Sequence, residues 1–185
     1  TQLHKKGVLK VDPTVNVKMF KVNKGHKVTG HTTAQVEVIM NSIKLCALND
    51  QAMIYLLAFQ GLRQVELERL NIEHLDLING TAMIKGKGRD DYEMIKLLGP
   101  VKEKLKEYVE REGRKSGKLF SIGARQMRNR YHKIASALGI TNNLHGLRHY
   151  FVTTVLEARD GNTVETMKYT RHKSLEMLKV YNDNL

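Results

Sequence analysis

The chain has 185 residues and a mass of 21.2 kDa, enough for one domain with a sizeable core. Lysine and arginine total 31 against 19 acidic residues, which gives a formal net charge of +12. This excess favours a polyanionic partner, nucleic acid ahead of a membrane surface, although a basic protein with a solvated face has the same composition. The single cysteine, Cys46, excludes an internal disulfide and a cysteine-based metal site. No stretch approaches the roughly 18 apolar residues of a membrane span, so we expect a cytoplasmic protein.

Residues 1–30 differ from the rest of the chain. They carry seven lysines against one acid, Asp12, and their apolar residues have no helical period. At most one short strand is predicted, over residues 15–22. We interpret residues 1–31 as a basic linker or arm, with a surface tail as an equal alternative, and residues 32–185 as the main domain. Because the chain begins at Thr1 rather than Met, we expect it to be a fragment of a larger protein.

From Thr32 the apolar residues follow a helical pattern. Thr32-Thr-Ala-Gln35 has the form of a capping box, and Asn49-Asp50 is expected to cap the next helix, which stops at Gly61. The helices predicted in this part lie near residues 36–46, 49–59 and 65–70.

A small sheet is predicted after the turn signal Asn79-Gly80. Its two strands are Thr81-Ala-Met-Ile84 and Tyr92-Glu-Met-Ile-Lys-Leu97. Pro100 is well placed in the first turn of the following helix, and Gly139 stops the one after it. The apolar faces of these two helices are predicted to be Val101, Leu105, Tyr108 and Val109, and then Met127, Tyr131, Ile134 and Leu138. Further helices are expected near 145–157, 162–169 and 174–181. The predicted fold class is therefore α+β, mostly helical, with one small antiparallel sheet.

Several side chains suited to phosphate are spread along this pattern. Arginine donates two parallel hydrogen bonds to a phosphate and stays charged. In His145-x-x-Arg148 the three-residue step places both side chains on one helix face, so that they can reach the same phosphate. Arg63 follows Gly61 at the end of an apolar helix. The alternatives are a surface pair for the first two residues and a cation satisfying loose helix carbonyls for Arg63.

A lysine and a tyrosine complete the set. Lys85-Gly-Lys87-Gly88 lies between the two strands, where glycines permit a tight, mobile hairpin, although a solvated turn lysine has the same pattern. Tyr181 follows His172 by nine residues. A tyrosine hydroxyl has a pKa near 10, so it needs neighbouring cations to become a phenoxide at neutral pH. For any tyrosine of the chain, a buried core position is the alternative.

In this order and spacing, the set resembles the catalytic domain of the tyrosine site-specific recombinases, the phage-integrase family. The resemblance runs from about Thr32 to Tyr181, and Gly61-Leu-Arg63-Gln-Val-Glu66-Leu resembles the family's first arginine motif. It implies that Tyr181 attacks a DNA phosphodiester to form a 3′-phosphotyrosyl link and release a 5′ hydroxyl. It also implies that Lys87, 24 residues after Arg63, is the general acid, with Lys85 as its rival. The residues implied to stabilise the transition state are Arg63, His145, Arg148 and His172.

The same resemblance implies the partners. These are double-stranded DNA and other recombinase protomers on that DNA, as a tetramer in synapsis, and not a membrane. Residues 1–31 would then end a missing amino-terminal DNA-binding region, and the gene would be prokaryotic or phage-encoded. No Asp/Glu cluster suggests magnesium and no GxxxxGK[ST] loop is present, so we expect neither a metal nor another cofactor.

The chain departs from the family pattern at Arg171, where a glycine commonly precedes the histidine; we predict that Arg171 contacts the DNA backbone. Glu66 is predicted to orient an arginine or the lysine, or else to be an exposed helix carboxylate. His149 is predicted to pack outside the site. The other predicted DNA contacts are Lys85 and, on a basic helix face that can also be merely solvated, Arg125, Arg128 and Lys133.

Two other functions stay open. A relaxing enzyme of the type IB topoisomerase kind would use the same groups to reseal one strand, but the first arginine motif and the spacing between His172 and Tyr181 speak against it. A non-catalytic DNA-binding regulator with this fold would have no use for the lysine and the tyrosine together.

Overall fold

The structure, a computed structural model, describes residues 6–11, 13–15, 30–86, 91–172 and 174–182. The helices are α1 (Thr33–Ser42), α2 (Leu48–Ala58), α3 (Gln64–Arg69), α4 (Gly99–Glu112), α5 (Ala124–Ala137), α6 (His145–Glu157), α7 (Thr163–Thr170) and α8 (Leu175–Asn182). Single 3-10 turns cover Ile43–Leu45 and Ile72–His74, and the strands are β1 (Leu75–Asp76), β2 (Thr81–Lys85) and β3 (Tyr92–Lys96). The predicted α+β fold class is confirmed. The strand predicted over 15–22 lies outside the described residues, except for Val15.

The first two helices begin differently from each other. The predicted capping box is present at α1: the Gln35 backbone N–H donates to the Thr32 hydroxyl, and the Thr32 N–H donates to the Gln35 side chain. The predicted cap of α2 is wrong, because the helix begins at Leu48 with Ala47 at the N-cap and no side-chain cap. Asn49 and Asp50 instead accept hydrogen bonds from Arg130 of α5, a partner some 80 residues away.

The sheet is antiparallel in the order β1-β2-β3. Ala82 lies opposite Ile95 and Leu75 lies opposite Ala82, so β2 is the central strand. Strand β1 was not predicted, because two residues are too few to show an alternating pattern. Its Asp76 closes the turn before β2 by accepting the backbone N–H groups of Ile78 and Asn79.

The main core forms around α2, whose residues are buried on nearly every side, between α4 and α6. The predicted apolar faces of α4 and α5 point into it, with Val109, Ile134 and Leu138 half-buried at its edge. A smaller apolar cluster between α6 and α8 consists of Phe151, Val152, Leu156, Leu178 and Tyr181. This second cluster anchors α8 and thereby fixes the position of its tyrosine. Within the described parts of the chain, no helix is long and apolar enough to cross a membrane.

Candidate active site

The site begins at the junction of α2 and α3. Gly61 lies there with a φ of +61°, and a β-carbon at this position would come within 2.1 Å of Cδ1 of Phe151. Only glycine therefore fits this close approach of the backbone to α6. The tight turn places Arg63 at the N-cap of α3, with its guanidinium directed to the carboxyl end of α7, where Nη2 donates to the Arg171 carbonyl at 3.2 Å.

Glu66 lies one turn into α3 and is buried, so the alternative of an exposed helix carboxylate is wrong. Its Oε2 accepts the Arg63 backbone N–H at 2.7 Å and Nη2 of Arg171 at 2.8 Å, while Oε1 accepts Nη1 of Arg63 at 2.9 Å. Burial by itself would raise the pKa of Glu66, but the two arginines and the backbone hydrogen bond outweigh it and lower that pKa. The carboxylate is therefore ionised and holds two arginines at once.

Arg148, on α6, is the largest fully buried side chain among the described residues, so it is not a surface group. Its guanidinium donates to the Gly61 carbonyl, to the Thr170 carbonyl at 2.9 Å and towards Nε2 of His172 at 3.3 Å. Burial and the charges of Arg63 and Arg171 lower the pKa of Arg148 to about 10, which still leaves it protonated at neutral pH. The buried cation joins the α2–α3 junction to the end of α7.

The hydrogen bonds around His172 assign its tautomer. The Thr170 hydroxyl donates its proton to the Thr166 carbonyl at 2.8 Å. In its second hydrogen bond, with Nδ1 of His172 at 2.8 Å, the hydroxyl oxygen must therefore be the acceptor and Nδ1 the donor. Nδ1 therefore carries the ring proton, and Nε2 accepts from Arg148. Burial, followed by the charges of Arg148, Arg63 and Arg171, lowers the pKa of His172 to about 3. The imidazole is neutral at physiological pH, with its Nε2 lone pair on the arginine side.

Tyr181 is buried against two histidines. Its ring centroid lies 4.4 Å from that of His149 and 5.4 Å from that of His172. Sequence reasoning left His149 outside the site, yet its ring contacts the predicted nucleophile. His149 is itself held by Gly30, where a β-carbon would come within 2.4 Å of Nδ1. No local pattern distinguishes His149 from other histidines, because its neighbours come from the beginning and the end of the chain.

His145 lies one turn before Arg148 on α6 and is exposed. Partial desolvation of the imidazole is the main cause that lowers the pKa of His145, and the positive charges of Arg148 and Arg63 lower it further. Its imidazole is thus an exposed, neutral group at the rim, whereas Arg148 lies beneath the surface.

Of the two candidate lysines in the hairpin, the structure describes Lys85. Lys87 lies outside the described residues. Lys85 ends β2, with Nζ 5.9 Å from the centroid of the Tyr92 ring. Next to it, the Gly86 carbonyl accepts from Nη1 of Arg69 at 2.8 Å, so the end of β2 is tied to α3, the helix that Arg63 caps.

The basic face of α5 lies beside the same helix. Arg125, Arg128 and Lys133 are exposed. Arg128 donates to Oε1 of Gln64 at 3.2 Å, and the Gln64 amide donates to the Ala124 carbonyl. The cations of α5 therefore extend the positive surface outward from the start of α3.

These contacts bring cationic side chains together. Three guanidiniums and one carboxylate, from Arg63, Arg148, Arg171 and Glu66, leave a net charge of +2 beside the Tyr181 ring. Among the described residues, no group of three or more His, Cys, Asp or Glu side chains could hold a metal ion. The chemistry that suits such a site is stabilisation of a phosphate that gains negative charge.

Comparison with known proteins identifies the fold. The model of the "Phage integrase family" matches residues 31–185. The chain belongs to the phage integrase family. It is 26% identical over 148 residues to tyrosine recombinase XerA of Saccharolobus solfataricus, covering 80% of this chain and 49% of that protein. It is 28% identical over 194 residues to tyrosine recombinase XerC of Proteus mirabilis, covering 95% of this chain and 61% of that protein. The chain spans only about half to three fifths of these relatives.

Among solved structures, the phage-integrase fold recurs in XerH site-specific recombinase bound to a palindromic difH substrate in a post-cleavage complex. The TM-score is 0.73 with 23% identity, over 91% of this chain and 55% of that one. This likeness concerns the fold.

The departure from the family pattern at Arg171 does not open the turn. Arg171 takes up the left-handed conformation itself, with a φ of 57°, and its N–H caps α7 on the Met167 carbonyl. Its side chain is 6% exposed and lies on Glu66. The structure thus brings together Arg63, Arg148, Arg171, His172 and Tyr181, with His145 at the rim. The functional roles given to these residues and to Lys87 remain predictions.

Proposed function

We propose that this protein is a DNA strand-transferring recombinase in which Tyr181 attacks a DNA phosphodiester. The tyrosine oxygen forms a bond to phosphorus, the bond from phosphorus to the 5′ oxygen breaks, and a 3′-phosphotyrosine and a 5′ hydroxyl result. Attack by a 5′ hydroxyl on the phosphotyrosine reverses these steps and rejoins the strand, so the bond energy is kept. The observation that carries the proposal is the position of Tyr181 against His149 and His172, beside the buried Arg148.

The arginines would stabilise the transition state. Phosphoryl transfer spreads negative charge over the equatorial oxygens, and cations already in place stabilise it without reorganising. Arg63 is the partly exposed member and is suited to direct contact with the phosphate, since Glu66 holds one edge of its guanidinium. Arg148 can exchange its contact with His172 for one with a phosphate oxygen. We therefore assign these two arginines to the non-bridging oxygens.

The histidines would handle protons at this phosphate. His172 lacks a proton on Nε2 in the free protein, because the nearby arginines disfavour the imidazolium. A bound phosphate offsets those charges, so the pKa of His172 should rise on DNA binding. Nε2 of the ring can then accept the proton that the Tyr181 hydroxyl loses on attack, and donate a hydrogen bond to the anion. His145, neutral at the rim, is assigned to a second phosphate oxygen.

We assign to Lys87 the role of general acid, which donates a proton to the leaving 5′ oxygen. The hydrogen bond between Arg69 and Gly86 supports this assignment, because it holds the end of β2, next to Lys87 in the sequence, beside the helix that Arg63 caps. Lys85 is the alternative general acid.

The wider DNA contacts belong to the same proposal. Arg125, Arg128, Lys133 and Lys85 would contact the DNA backbone, residues 1–31 would be a basic arm reaching a further DNA-binding region, and residues 32–185 would form the catalytic domain. XerH site-specific recombinase, which shares this fold, has been solved bound to its palindromic difH substrate, and this supports a DNA partner. We extend this to assembly with other protomers as a tetramer in synapsis, in the cytoplasm of a prokaryotic host.

Covalent capture tests the function. The protein is mixed with a library of nicked DNA duplexes of random core sequence, in which the short cleaved product diffuses away and traps the phosphotyrosine. We expect a detergent-resistant adduct, with mass spectrometry of peptides placing the nucleotide on Tyr181. The Tyr181→Phe variant should bind the duplexes but form no adduct. The matched control is Tyr169→Phe, at an exposed tyrosine of α7, which should react like the wild type. An adduct formed by Tyr181→Phe, or DNA binding without any adduct, would exclude the proposed nucleophile.

A further inference from the structure

Arg171 occupies a backbone conformation that disfavours it. Among the described residues, the left-handed region is occupied by seven glycines and by two other residues, Asp160 and Arg171. An L-residue there carries a steric penalty that glycine avoids. Arg171 must therefore be compensated by contacts of its own.

The compensation comes from both ends of the residue. Its side chain is nine-tenths buried, and Nη2 pairs with Oε2 of Glu66 at 2.8 Å. Its backbone carbonyl accepts Nη2 of Arg63 at 3.2 Å, and Arg63 donates in turn to Glu66 at 2.9 Å. The three residues thus form a closed ring of hydrogen bonds that spans α3 and the turn before His172.

We infer that Arg171 is a positioning residue for strand cleavage, which sets the orientation of Arg63 through Glu66 and does not itself contact DNA. The inference rests on the proposed function. Without Arg171, one oxygen of the buried carboxylate is left to the Arg63 backbone alone, and the guanidinium of Arg63 is free to rotate towards it. The same loss frees the turn that carries His172. Displacement of a phosphate-binding group by about 1 Å can slow a reaction about 100-fold.

Two other roles make different predictions. As a residue that merely forms the turn, Arg171 should be replaced best by glycine, which fits the left-handed backbone, and worse by lysine. As a direct phosphate contact, it should contribute about one counterion to the salt dependence of DNA affinity. A positioning residue should be replaced better by lysine, which keeps a cation on Glu66, and should leave the salt dependence unchanged.

The experiment compares cleavage of the nicked duplexes by Arg171→Gly, Arg171→Lys, Glu66→Gln and the double variant Glu66→Gln/Arg171→Gly. The matched control is Asp160→Gly, which relieves the same backbone conformation at an exposed position and should cleave like the wild type. We expect Arg171→Gly to be about 10- to 100-fold slower, Arg171→Lys to lie between it and the wild type, and the double variant to be no slower than Glu66→Gln.

Four outcomes would overturn the inference: an unchanged rate in Arg171→Gly, a rate for glycine above that for lysine, additive losses in the double variant, or a salt slope reduced by about one. A readout that needs no activity accompanies the rates. The pKa of Glu66, followed by carbon-13 NMR of its carboxyl group, should rise in Arg171→Gly and stay unchanged in Asp160→Gly. If the wild type forms no adduct, the proposed function fails, while the NMR result still decides whether Arg171 holds Glu66.

Discussion

Gly61→Ala should destabilise the protein through two separable effects. The alanine would keep a φ of +61°, and its β-carbon would overlap the Phe151 ring, which lies on α6. The left-handed conformation costs an L-residue about 1–2 kcal/mol. Forcing an extra carbon into a packed site costs about 1–3 kcal/mol more. The free energy of unfolding should therefore fall by about 2–5 kcal/mol.

Gly139→Ala isolates the first effect. Gly139 has a φ of +68°, and a β-carbon there would have no heavy atom within 4 Å. In Gly139→Ala the free energy of unfolding should fall by about 1–2 kcal/mol, and the difference between the two variants measures the cost of the overlap with Phe151. The assay is urea unfolding followed by circular dichroism at constant pH. For a chain of this length, each kcal/mol corresponds to a melting temperature lower by roughly 2–4 °C.

A second mutation checks the assigned cause. In a Phe151→Leu background, which removes Cε1, the second-nearest ring atom to the new carbon, Gly61→Ala should be less destabilising than in the wild type. Equal losses for Gly61→Ala and Gly139→Ala, or no coupling with Phe151→Leu, would refute the argument that close approach to α6 requires glycine.

Three further predictions concern the lysine, the buried histidine and the arm. Lys87→Ala should cleave normal DNA slowly but recover when sulfur replaces the bridging 5′ oxygen, because a thiolate leaves without a proton; failure to recover would move the general acid to Lys85. The free energy of unfolding should fall as pH decreases from about 6.5 towards about 3, since the unfolded chain binds a proton that folded His172 refuses. Urea unfolding at several pH values should show a weaker dependence in His172→Gln. Deleting residues 1–30 should flatten the salt dependence of DNA affinity without changing cleavage at Tyr181, and an unchanged slope would place the arm away from DNA.

The sequence determined the features that depend on neighbouring residues. Thr32 and Gln35 cap α1 because their side chains reach backbone groups one turn away. Gly139 ends α5 because its left-handed φ needs no distant partner. The apolar faces of α4 and α5 followed from a period of 3.6 residues, and so did the fold class built from them. The order of Arg63, Arg148, His172 and Tyr181 was likewise visible before any contact was known.

Only the tertiary structure decided which polar groups are buried and with whom they pair. Glu66 looks like an ordinary helix carboxylate, but it is buried because Arg171, 105 residues away, lies over it. Arg171 was predicted to be a DNA contact, yet its guanidinium is turned inward onto that carboxylate. His149 meets Tyr181 only because α8 packs back onto α6. Burial of a charge depends on polar or charged partners brought from elsewhere in the chain, and no local pattern carries that information.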